Sequence, residues 1–253
     1  TVVVKKGTLI EKATTGTDGK AKFSADLPLG FSYEVKEEQA PTGYVRNTED
    51  VYQFAFSYTN DKEAKVTFHH TFKNERVTAK ISLQKLDAET KKAVPQGDAT
   101  LEKAVYGLYA REDIVHPDGQ TGVLYPAGTQ IATLTTDTEG NAEIADLYLG
   151  KYYVKELTPP VGYLADPEEH DLECNDEGDL VQTVERTATS LEDVIKQPFQ
   201  VIKAANNGKT DADLLKGVGF SAYLESSLKK NKDGSYAVSY THLRAHETEA
   251  DLV

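Results

Sequence analysis

The 253-residue chain has no methionine, no tryptophan and a single cysteine, Cys174. One thiol excludes an intramolecular disulfide framework and any multi-cysteine metal site. Long apolar runs are missing too. No stretch approaches the roughly 20 residues of a membrane helix, and no basic-then-apolar leader opens the chain. Positive charge is scarce: 28 Lys and Arg stand against 41 Asp and Glu, a net charge of −13. Phosphate backbones and anionic lipid surfaces are bound by clustered cations, so the charge balance argues against nucleic-acid binding and membrane association in this segment. The lack of methionine fits removal of an initiator and an excised internal fragment equally well. What remains, 39% hydrophobic and 27% charged, is the composition of folded soluble protein in more than one unit.

Internal repetition is the strongest positive signal. "GTLIEKATTGTDGKAKFSADLPLGFSYEVKE" (7–37) aligns with "GTQIATLTTDTEGNAEIADLYLGKYYVKE" (128–156), and "ISLQK" (81–85) with "FQVIK" (199–203). The repeat unit is about 120 residues, an ordinary domain size. The expected organisation is the C-terminal part of one unit over 1–78, a complete unit over 79–197, the N-terminal part of a third over 198–240, and a tail over 241–253. Short β-rich runs alternate with turn signals such as "TDG", "TEGN", "PPVGY" and "KDGS"; Asp18-Gly19 and Asp233-Gly234 are strong hairpin turns and Glu139-Gly140 a weaker one. Helical periodicity is scarce. The predicted fold is all-β: tandem antiparallel β-sandwich modules, one complete and two partial.

Side chains alternate along a strand, so strand parity identifies the inward face. Tyr152, Val154 and Glu156 share a face, as do Tyr33, Val35 and Glu37. Ile81 and Leu83 bring Lys85 with them, and Phe199 and Val201 bring Lys203. Phe68, His70 and Phe72 align with Asn74, while Leu191 and Ile195 align with Asp193. Glu192 is the competing alignment, and its parity points away from Leu191 and Ile195, which favours Asp193. A complete unit therefore offers an inward Lys, Glu and Asn or Asp. Lone buried charges are expensive, so three such groups should meet. Burial lowers a lysine pKa and raises a carboxyl pKa, giving a nucleophilic amine and a protonated acid. The amine can attack the Asp or Asn side-chain carbonyl while the Glu polarises it; water or ammonia leaves, and an amide ties the first strand to the last.

These residues, with "YGLY", "TTDTEG", "DLYLGKYYVKE" and "PPVGY", closely resemble the Cna B-type (SpaA-like, prealbumin-like) repeat domains of Gram-positive surface adhesins and pilins. The resemblance covers residues 1 to about 240. It implies an immunoglobulin-like sandwich, a self-formed isopeptide bond, a cell-wall-attached extracellular parent and a mechanical role beside neighbouring tandem domains. Carried over residue by residue, Lys85 is the amine, Glu156 the catalytic acid and Asp193 the acceptor. Asn is the common acceptor in that family and Asp the minority one, so the middle unit departs from the usual pattern. Glu37 and Asn74 fit the first unit, and Lys203 fits the third.

His69 and His70 are adjacent on a presumed strand and face opposite sides, and His242 and His246 have no third ligand, so no metal or cofactor is expected. The acidic run "DPEEHDLECNDEGD" (166–179) lacks EF-hand spacing and reads as a solvated loop. Cys174 shares parity with Leu172, as a half-buried strand thiol. The tail "THLRAHETEADLV" is charged, aperiodic and reads as non-native. The leading expectation is a stalk module of an adhesin or pilin that cross-links itself once and is not a turnover enzyme. The competing one is a β-sandwich that binds host matrix protein or glycan without a cross-link. A hydrolase using Glu156 with a second carboxylate fits worst, because parity places that acid in a core.

Overall fold

The computed structural model describes residues 5–55, 57, 67–205, 208, 210, 216–223, 228–230 and 236–238. The tail over 241–253, with His242 and His246, lies outside the described residues. Two units are separated by their internal contacts, Thr1–Lys196 and Gln197–Val253. Every regular element among the described residues is a strand.

The first unit opens with β1 (Ser32–Lys36) and β2 (Val51–Ala55), an antiparallel pair in which Tyr33 opposes Phe54. It continues with β3 (Thr78–Asp87), β4 (Val105–Ala110), β5 (Ile114–Val115), β6 (Val123–Tyr125), β7 (Gln130–Thr135), β8 (Asn141–Leu147), β9 (Gly150–Thr158), β10 (Glu169–Cys174) and β11 (Thr183–Glu192). These form a sandwich of a four-stranded sheet, β10-β9-β4-β7, and a three-stranded sheet, β11-β3-β8, with β5 and β6 as a small hairpin. The second unit contributes β12 (Leu228–Lys230) and β13 (Tyr236–Val238), which pair antiparallel; the expected turn at Asp233-Gly234 lies outside the described residues. Among the described residues, all strand pairings are antiparallel except one. β3 and β11 run parallel, Thr78 opposite Thr183 and Glu192 opposite Asp87. A parallel pair of first and last strands brings the chain into the sandwich at one pole and out at the other.

Alternation of side chains builds the core. β3 buries every second residue, from Ala79 and Ile81 through Leu83 to Lys85 and Asp87. Tyr106 and Leu108 on β4, and Tyr152 and Val154 on β9, meet them from the other sheet. Each fully buried aliphatic side chain contributes about 1.5–3 kcal/mol relative to exposure. Cys174, expected to be half-buried, is wholly inside this core, and burial pushes its thiol pKa up.

The repeat motifs have local mechanical reasons. In "TTDTEG", Thr136 donates from Oγ1 to Leu101 O (2.6 Å) and accepts Ala104 N–H (3.0 Å), while Asp137 Oδ1 accepts the N–H groups of Glu139 (2.9 Å) and Asn141 (2.8 Å). Gly140, at φ 79°, receives the Lys85 N–H at its carbonyl (2.8 Å), and a Cβ there would sit 2.7 Å from Lys85 O. Only glycine allows the β7–β8 turn to press on the lysine's own peptide.

The acidic run is not a loop throughout. Its middle is β10, the Asp166 side chain is only 7% exposed, and its end docks onto the segment before β2. Asp176 Oδ2 accepts Gly43 N–H (2.8 Å), Asp179 Oδ2 accepts Ala40 N–H (3.1 Å), and Asp179 O accepts Arg46 N–H (2.6 Å). In the second unit Phe199, Val201 and Lys203 are all exposed, so the inward face expected of "FQVIK" is not formed by the described residues.

Candidate functional site

At the pole where β3 and β11 end, the apolar core gives way to a buried polar cluster. Lys85, Asp87, Glu156, Ser190 and Glu192 are all nearly or wholly inaccessible. Parity places Lys85 after Leu83 on β3, and Glu156 after Val154 on β9. Tyr106 lies opposite Glu156 across the β4–β9 pair. On β11 the inward series is Val184, Ala188, Ser190 and Glu192.

The Lys85 ammonium forms an ion pair with Glu192 Oε2, with both side chains 0% exposed. Its amine also lies over the Tyr163 ring, 4.8 Å from the centroid, and forms no other hydrogen bond among the described groups. Tyr163, from "PPVGY", donates its hydroxyl to Asp87 Oδ2 (3.0 Å) and closes the pole. Glu192 Oε1 accepts from the Tyr106 hydroxyl (2.7 Å) and lies 3.1 Å from Ser190 Oγ. Glu156 Oε2 accepts the Asp166 N–H (2.7 Å). Burial raises the Glu156 pKa to about 7, and the neighbouring Glu192 carboxylate pushes it the same way, against the Asp166 N–H and Lys85. Close to neutral pH the site thus holds one ion pair and one readily protonated acid.

A second polar chain leads outward. Ser190 Oγ lies 2.9 Å from Asp166 Oδ2, which also meets His170 Nε2 at 2.8 Å. Burial opposes ionisation of Asp166, yet hydrogen bonds from Glu168 N–H, His170 and Ser190 prevail and hold its pKa below the usual range.

The structure brings Lys85 and Glu156 together and does not bring Asp193 to them. Asp193 is exposed, and its carbonyl accepts Leu164 N–H (2.9 Å). The reason is strand phase: β11 alternates without interruption through Glu192, leaving Leu191 42% exposed on the outer face. The repeat spacing matches the observed inward position, since Asn74 and Glu192 are 118 residues apart, as are Lys85 and Lys203. Backbone bridges agree, with Tyr44 opposite Arg76 in the first repeat and Tyr163 opposite Val194 in the middle one. Asn74 donates from Nδ2 to Glu37 Oε2 (2.6 Å), so Glu37 and Asn74 meet as Glu156 and Glu192 do. Lys203 is exposed, and no metal-binding group of His, Cys, Asp and Glu occurs among the described residues. Sequence reasoning placed Tyr106 in "YGLY" and Asp166 and His170 in the acidic run without assigning any of them to the site, and Ser190 carried no signal beyond residue type.

A family model described as SpaA, prealbumin-like fold domain, matches residues 1–71 and 79–188. Among solved structures, the chain is similar to the Bacillus anthracis TIE protein at 26% identity, with a TM-score of 0.46, covering 72% of this chain and 28% of that one. Similarity to BcpA, the major pilin subunit of Bacillus cereus, is 21% in identity with a TM-score of 0.29, covering 44% and 28% of the two chains. The group B streptococcus pilus 2b backbone protein is 15% identical with a TM-score of 0.35, covering 72% and 77%. The chain therefore spans less than a third of the length of the first two. A search of curated proteins gave no match.

Proposed function

Since the chain belongs to the SpaA prealbumin-like fold domain family, we propose that it is a run of structural stalk modules from an extracellular, cell-wall-attached adhesin or pilin, and that its middle module ties its first strand to its last by a self-formed amide. Its partners on this reading are the neighbouring modules of the same parent chain. The observation that carries the reading is the wholly buried contact of the Lys85 amine with the Glu192 carboxyl, next to an acid, Glu156, whose pKa burial has raised to about 7.

The acceptor is Glu192 in place of Asp193. Lys85 passes one proton to Oε2 of Glu192, and its lone pair attacks Cδ. The departing Oε2 takes a second proton from Glu156 and leaves as water. The nitrogen returns its surplus proton to Glu156. An ammonium and a carboxylate become an amide and one water, and the acid is regenerated, so each residue acts once on its own module.

Intact mass of the full chain under denaturing conditions tests this. The wild type should be lighter by one water, and so should Asp193→Ala. Lys85→Ala, Glu156→Ala and Glu192→Ala should keep full mass. Full mass in the wild type would reduce the cluster to a non-covalent ion pair.

A further inference from the structure

The proposed amide leaves one oxygen of Glu192 behind, and the structure holds that oxygen with two hydroxyls. We propose that Tyr106 and Ser190 are catalytic residues of the cross-linking step, an oxyanion site for Oε1 of Glu192; this rests on the cross-link reading above. When Lys85 Nζ bonds to Cδ, the carbonyl electron pair moves onto Oε1, and the charge returns to the C–O bond as Oε2 departs as water. Preorganised donors aimed at such an oxygen stabilise the transition state more than the resting carboxylate, because the site is dry and the donors need not reorganise.

Both donors meet the geometric requirement. Tyr106 Oη is 2.7 Å from Oε1, wholly buried, and opposite Glu156 in the β4–β9 register. Burial raises its pKa far above the ordinary tyrosine value, so it stays a donor at any working pH. Ser190 Oγ is 3.1 Å from the same oxygen and 2.9 Å from Asp166 Oδ2. A hydroxyl has one proton and here two carboxylates to serve. In the resting site that proton is shared; as charge grows on Oε1 it turns toward Glu192. Asp166 is held in place by His170, and its backbone N–H also fixes Glu156. The two oxygens of Glu192 are thereby distinguished: Oε1 is retained by Tyr106 and Ser190, and Oε2, against Lys85, leaves.

The test follows water loss over time in full-length chains made by cell-free translation, sampled into denaturant and weighed. Tyr106→Phe, which keeps the ring, should slow the loss by about 10²–10³-fold, the effect of removing one oxyanion donor. Ser190→Ala should also slow it, and the double variant more than either. Amide exchange of β3 and β11 verifies that each variant folds; should Tyr106→Phe fail to fold, Ser190→Ala decides. Water loss at the wild-type rate in a folded variant overturns the assignment while leaving the cross-link standing. A wild type that never loses water overturns the cross-link itself, and the oxyanion site with it.

Discussion

Lys85 shows how position decides chemistry. An exposed lysine beside a glutamate makes an ion pair worth little. At the closed pole of this sandwich the same pair has lost its water, and removing either partner strands a buried charge. In the proposed cross-linking step, Glu156 is the residue whose state sets the pace. Its ordinary pKa is 4.5 and its folded value about 7, raised by burial and by Glu192 and opposed by the Asp166 N–H and Lys85. The acid form is therefore lost as pH rises through 7, and a step that needs it to protonate the departing oxygen slows in the same window. Between pH 6 and pH 8 the protonated fraction falls by roughly tenfold, and the rate of water loss should fall with it. A rate unchanged across that interval would remove Glu156 as the acid. Lys85 on β3, Tyr106 on β4, Glu192 on β11 and Asp166 after β9 are the polar groups that face it.

At the scale of elements, the turn before β8 positions the lysine. Gly140 has a left-handed backbone and no room for a Cβ against Lys85 O. Gly140→Ala should destabilise the module by about 3 kcal/mol, read by denaturant unfolding, through backbone strain and displacement of β3. Much of this level was legible in the sequence. The strands, the "TTDTEG" turn and the inward parity of Lys85 and Glu156 follow from alternation and turn chemistry alone. The phase of β11 did not, because its outer face carries Leu191 and the following segment Ile195, whereas its inner face near the pole is serine and glutamate. Hydrophobic pattern points the wrong way where a core turns polar; repeat spacing, which aligns Asn74 with Glu192, points the right way. The parallel pairing of β3 with β11 and the convergence of Tyr106, Ser190 and Asp166 depend on how two sheets stack. No local pattern encodes that.

For the whole molecule, the proposed stalk role makes direction of load the organising feature. β3 enters at one pole and β11 leaves at the other, side by side and parallel. Tension along a tandem chain would pull these strands in shear, and the proposed amide between Lys85 and Glu192 would pass it from one to the other without loading the strands between. The preceding repeat is joined to this module through Asp176, Asp179 and Arg46, while Arg76 donates to Leu147 O and Asp146 O, so the entrance pole is braced by polar contacts. The most direct test is single-molecule extension of the full chain held at its ends. With the amide in place, the chain between Lys85 and Glu192, roughly 350 Å when extended, should stay hidden at forces that unfold Glu192→Ala, and that variant should release it in one step. Release of the same length by the wild type would contradict the account, because no covalent tie would then join the two strands.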